Sequence, residues 1–177
     1  MKSEVFNALH ELRHRVDTLL AGGYQDLIGE LPRHPSKVYK TRSLADIDTV
    51  VIHHSGTKGG DAFAFARYHV EHHGWPGIGY HYVIGKDGVI YKTNDLHTES
   101  YNVARHNRHT AGICMIGNFM VEQPCQLQLL ATARAVTLVF EEVGRVLAIK
   151  GHRDFNKPQC PGDNISLDVI RRLAASR

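Results

Sequence analysis

The sequence predicts an α/β fold: a central mixed β-sheet flanked by helices, with an extra helix at the N-terminus. Three features of the chain lead there. Short β-branched apolar runs alternate with longer segments of three- and four-residue apolar spacing. A hairpin signature sits mid-chain, with Lys86-Asp87-Gly88 between two apolar runs. The composition is ordinary and globular, with 177 residues, 42% hydrophobic and 22% charged. That balance excludes a disordered tail, a collagen-like chain and a disulfide-dense miniprotein. The length suits one domain, on a scale of about 100–200 residues per domain.

Val5, Leu9, Leu12, Val16, Leu19 and Leu20 recur at helical steps and end at Gly22-Gly23. The resulting helix carries a leucine stripe that needs burial, so its expected role is packing on the main domain. Residues 1–31 therefore read as a helical extension. Residues 32–48, with Pro32, Pro35 and mixed charge, read as an extended connection, and 49–177 as the main domain. Thr49-Val50-Val51-Ile52-His53 suits a buried strand. Asp61 is placed to cap a helix with Phe63, Ala66 and Val70 on its apolar stripe, stopped by Gly74. Tyr80 to Ile84 and Val89 to Tyr91 form the hairpin, and Ala111 to Ile116 another strand. Gln126 to Val143 reads as a long helix with Leu127, Leu130, Ala131, Ala135, Leu138 and Val139 inward. Val146 to Ile149 is a strand leading into His152, and Ser166 caps a last helix with Leu167, Ile170 and Leu173 on one face.

The formal net charge of +3 is a mild excess without a clustered patch, so no nucleic-acid partner is expected. No run approaches the roughly 18 apolar residues of a membrane span, and no membrane insertion is expected. The three cysteines, Cys114, Cys125 and Cys160, are an odd count that argues for reduced thiols, one of them a candidate ligand. The N-terminus lacks an unbroken apolar secretory core, which points to synthesis and retention in the cytoplasm unless another route releases the protein.

Thirteen histidines are the compositional oddity, and histidine is the commonest metal ligand. His53-His54 closes the first buried strand, where successive side chains face opposite ways. Gly151-His152 through Cys160-Pro161-Gly162 places a His and a Cys eight residues apart after another strand. Two His and one Cys with a fourth position open is a catalytic zinc arrangement. On spacing alone, a scattered His–Cys pair is more often coincidence.

Four motifs go further. Val51-Ile52-His53-His54-Ser55-Gly56-Thr57, Gly74-Trp75 with Ile78-Gly79-Tyr80-His81-Tyr82-Val83-Ile84, Gly112 to Phe119, and Gly151-His152 to Gly162 follow one another in order. Together, over about Thr49 to Leu173, they resemble the zinc-dependent N-acetylmuramoyl-L-alanine amidases, the superfamily that includes the peptidoglycan recognition proteins. The short phage endolysins of that group are the nearest pattern. The resemblance implies Zn2+ held by His53, His152 and Cys160. It also implies hydrolysis of the bond between N-acetylmuramic acid and the L-alanine of the stem peptide, with bacterial peptidoglycan as substrate. Tyr80 falls on a tyrosine that assists catalysis in phage members. His54, on the opposite face of its strand, reads first as a packed histidine and second as a substrate contact. His81, Asn102, His106 and His109 are the other candidate substrate contacts.

The sequence departs from the family at three places. Cys114 stands where many members carry a glutamate general base. Pro158 replaces a frequent lysine, leaving Lys157 one residue earlier as the candidate proton donor. Asn102 stands where a histidine is common. Asp154 is a candidate to hold a ligand ring, with pairing to Arg153 the alternative. An endolysin reaching the wall by an unidentified route, such as holin-mediated release, is the leading expectation. A cytosolic amidase acting on wall fragments and a non-catalytic peptidoglycan-binding module are the alternatives.

Overall fold

The computed structural model describes residues 23–176, so the helix expected over 5–20 lies outside the described residues. Six strands form one sheet: β1 (Tyr24–Asp26), β2 (Thr49–His54), β3 (Tyr82–Ile84), β4 (Ile90–Lys92), β5 (Thr110–Met115) and β6 (Ala148–Gly151). Their spatial order is β1-β4-β3-β5-β2-β6. Only the β3–β4 hairpin is antiparallel; the other four pairings are parallel. The hairpin turn uses Gly88 at φ 86°, a left-handed position that favours glycine.

Among the described residues, three helices cover the sheet: α1 (Ala62–His73), α2 (Gln126–Val143) and α3 (Leu167–Ala175). Each begins on a side chain that accepts a backbone N–H, from Asp61, Cys125 and Ser166 respectively. Strand alternation divides the core. Val50, Ile52, Ala111, Ile113, Met115, Tyr82 and Ile84 face α2 and α3, packing against Ala131, Ala135, Val136, Val139 and Ile170. Val83, Cys114 and Ile116 face the other way, against Ala62 and Ala66 of α1 and against Leu27, Leu31 and Ile78.

Four details differ from the sequence expectation. Tyr24–Asp26 joins the sheet although residues 1–31 read as helical extension. Leu44–Asp46 is a 3-10 turn with a capping box within the expected extended connection. β6 begins two residues later than expected, leaving Val146 82% exposed. The buried stripe of α2 is rotated, with Leu127 exposed and Gln128 buried. Gln128 sits inside with its amide donating to the carbonyl of Ile116 and to that of Ile84, which also accepts the Ile116 N–H.

Ile113 is fully buried at the centre of this core. Ile113→Ala should lower unfolding free energy by about 2–5 kcal/mol. Val38→Ala, at a site 85% exposed, should stay within about 0.5 kcal/mol of wild type. Urea unfolding midpoints check both; equal midpoints would refute the placement of the core.

Candidate metal centre

β2 and β6 run parallel with Ile52 opposite Gly151, so the chain leaves both strands side by side at His53 and His152. The two Nδ1 atoms face each other at 3.1 Å. His152 opens a short 3-10 turn, His152–Asp154, and the loop behind it returns Cys160 to the same place. The Cys160 N–H donates to Lys157 O, and the Arg153 N–H to Cys160 O. Cys160 Sγ lies 3.8 Å from His53 Nδ1. One donor atom from each of His53, His152 and Cys160 thus falls within 4.8 Å of the others.

The chemistry of these donors suits a cation. Burial holds the His53 ring well below its ordinary pKa, so it is neutral. Burial likewise lowers His152 to about 4, against an opposing hydrogen bond to Asn156. Its Nε2 lies 3.0 Å from Asn156 Oδ1, an oxygen that only accepts, so Nε2 carries the proton and Nδ1 a lone pair. Burial pushes the Cys160 thiol up to about 11, against the His54 backbone and the Arg153 and Lys157 charges. Two ring nitrogens and a sulfur converging in a partly buried corner fit a thiophilic divalent ion such as zinc.

Tyr80 lies beside the cluster, its ring centroid 5.3 Å from His53 and 5.5 Å from His69 of α1. Burial, the nearby Cys114 and Cys160, and a hydrogen bond to Cys114 hold its phenol well above the ordinary value. It remains a neutral O–H donor. Lys157 is exposed on the ligand loop, and its charge lowers both His152 and Cys160.

The expected substrate contacts divide. His81 is fully buried: its Nδ1 accepts the Gly112 N–H at 3.0 Å, and its Nε2 lies 3.0 Å from Thr98 O and 2.8 Å from Arg42 Nη2. It ties β3 to β5 and to the Arg42 segment, and cannot meet substrate. Asn102, 5% exposed, is likewise interior. The His54 ring lies on the face away from the cluster, against Phe119, with Nδ1 accepting the Phe119 N–H. His106 and His109 stay partly accessible, in a chain in which His109 bridges Asp48 at 2.9 Å and His106 at 3.0 Å. Asp154 holds no ligand ring; it accepts the Gly151 N–H, and Arg153 donates to Ile165 O. The residue that does hold His152, Asn156, was legible only as a carboxamide four positions after a ligand.

A model of the N-acetylmuramoyl-L-alanine amidase family (Amidase_2) matches residues 43–163, which contain all three donors. The chain belongs to this family. Among amidase-family relatives, the N-acetylmuramoyl-L-alanine amidase of Sus scrofa is 32% identical over 100 residues, 55% of this chain and 17% of that protein. Peptidoglycan-recognition protein SC2 of Drosophila melanogaster is 30% identical over 103 residues, 55% of this chain and 54% of its own. The chain thus spans between about a sixth and about half the length of these relatives. The solved N-acetylmuramoyl-L-alanine amidase LysC from Clostridium intestinale superposes with a TM-score of 0.69 at 24% identity, covering 80% of this chain and 95% of that one. Peptidoglycan recognition protein-LE in complex with tracheal cytotoxin gives 0.73 at 23% identity, covering 84% and 92%. Both likenesses show the amidase fold. No helix among the described residues is long and apolar enough to cross a membrane.

Away from the donors, burial lowers His69 to about 4 and His81 to about 3, each below the unfolded value near 6.5. Between those values the unfolded chain binds protons that the folded one does not, so stability falls as pH drops below about 6.5. Urea titrations from pH 7 to 4.5 should show this loss, with a slope approaching one proton per histidine. His69→Gln should flatten it; an unchanged slope would remove His69 from the account.

Proposed function

We propose that this domain hydrolyses the amide bond between N-acetylmuramic acid and L-alanine in peptidoglycan, with zinc as its resident ion, and that it serves as a wall-lysing enzyme of the endolysin kind. The observation that carries the reading is the convergence of His53, His152 and Cys160 within a domain of the amidase family. The endolysin reading draws support from the endolysin amidase LysCS of Clostridium intestinale, a neighbour of which this chain covers 95%.

Zinc, when bound, supplies Lewis acidity to an amide carbonyl and to water. The rest falls to side chains. His53, His152 and Cys160 hold the ion, and Asn156 keeps the His152 lone pair aimed at it. The Tyr80 hydroxyl, held neutral by burial, donates toward the charge that develops on the carbonyl oxygen. Lys157 is the candidate donor of a proton to the leaving amine, since its loop also carries the ligand Cys160. With Cys114 in the interior as a thiol held protonated by burial, no carboxylate base is supplied from that strand. His106 and His109 are the remaining candidates for substrate contact at the rim.

Purified protein should carry one zinc per chain by elemental analysis, and a strong chelator should abolish release of new L-alanine N-termini from purified walls. Cys160→Ser should lose both the metal and at least about 100-fold of the rate. Wall digestion that survives complete zinc removal would sink the reading. Tyr80→Phe should keep its zinc while the rate falls by about 100-fold or more; an undiminished rate would remove Tyr80 from the chemistry.

A further inference from the structure

Among the described residues, His53 Nε2 is the one fully buried side-chain nitrogen or oxygen with no hydrogen-bond partner. Such an atom needs an account, because an unpaired buried N–H or lone pair costs about 1–3 kcal/mol. Against the larger lowering by burial, Asn102 raises the His53 pKa, as a carbonyl oxygen near a ring N–H does. The sheet register explains its nearness. Val51 pairs with Gly112 and His53 with Cys114, so Gly112 and His53 lie on one face, one strand apart and two residues along. Asn102 rests on Gly112, where an added Cβ would stand 2.7 Å from the Asn102 Cβ and 3.0 Å from its Oδ1. Only glycine there lets the carboxamide reach β2.

The hydrogen bonds around Asn102 also fix which way its amide points. The single proton of Thr110 Oγ1 goes to His106 O at 2.9 Å. Thr110 Oγ1 is then an acceptor toward Asn102, and the Asn102 Nδ2 donates to it at 3.2 Å. Nδ2 also lies 3.4 Å from Ser100 O and 3.5 Å from Thr110 O, both acceptors. Thr110 Oγ1 also stands 3.3 Å from Oδ1, but with its proton committed to the nearer His106 O it leaves Oδ1 able to accept from His53.

We propose that Asn102 is a positioning residue of the metal centre: its Oδ1 accepts from His53 Nε2–H and thereby fixes the tautomer in which His53 Nδ1 offers its lone pair beside His152 Nδ1 and Cys160 Sγ. This rests on the metal reading above and deepens it. Asn102 does for His53 what Asn156 does for His152, so the two ligand rings are oriented by two carboxamides from different loops. A neutral carboxamide orients a ring without adding charge, whereas a carboxylate would draw the proton and weaken the ion's net positive field.

Zinc affinity, measured by competition with a chromophoric chelator, tests this without any hydrolysis assay. Asn102→Ala should weaken zinc binding by about 10–100-fold, and Asn102→Asp, which keeps an acceptor, should recover most of the loss. Nitrogen-15 spectra of zinc-loaded wild-type protein should show His53 protonated at Nε2 and bound to the ion through Nδ1. Wild-type zinc affinity in Asn102→Ala, or a His53 that binds zinc through Nε2 and keeps its proton on Nδ1, would overturn the assignment. The wild-type spectrum decides alone if the alanine variant does not fold. Protein that binds zinc normally yet leaves walls intact would refute the hydrolase reading and leave this assignment standing.

Discussion

Everything at the candidate centre depends on one pairing, the parallel alignment of β2 and β6 that sets Ile52 opposite Gly151. Parallel strands end at the same edge of a sheet, and loops at that edge are where α/β folds gather polar groups. Here the next residue of each strand is a histidine, so the register alone brings two imidazoles within 3.1 Å. A slip of one residue would turn His53 toward the α2 face and bury it among Ile113 and Met115. The apolar layer on the α2 side holds that register, since Val50 and Ile52 are committed to that face.

A second buried polar knot keeps the surrounding loops in place. Arg42 is 5% exposed and donates to the carbonyls of Leu96, Asn107, Arg108 and Thr110. Its guanidinium thus fastens the segment that carries Ser100 and Asn102 to the start of β5. His81 stands at the same knot and joins it to β3. A fork of rigid donors satisfies several carbonyls at once, which is why arginine rather than lysine suits the position. The loop that carries Asn102 is therefore supported from the interior.

The parts of this arrangement that were legible in the sequence are those with local signatures. Asp61 and Gly74 bounded α1, Asp87-Gly88 marked the hairpin, and the limits of α2 followed from its apolar period. The trio His53, His152 and Cys160 came from motif order, and the structure brings those three together. What escaped was set by distant partners. β1 is three exposed residues whose strand state comes only from pairing with β4. Gln128 turned inward to place its amide on the carbonyls of Ile84 and Ile116, which are distant in sequence. His81 and Asn102 looked like cleft residues because nothing near them in sequence announces Arg42, Gly112 or Thr110 as partners. Hydrogen-bond satisfaction in the interior is a property of the tertiary structure, and local pattern does not encode it.

The donors of the centre also have a mechanical meaning. His53 and His152 are 99 residues apart in the chain, and β6 is an edge strand held to the sheet by β2 alone. An ion gripped by both would close a loop nearly as long as the domain, removing freedom from the unfolded chain much as a crosslink does. The same three side chains that would serve chemistry would then also rivet the outermost strand. Loss of the ion would loosen the fold at its margin before its middle, and resistance to heat or proteases would track occupancy of the centre.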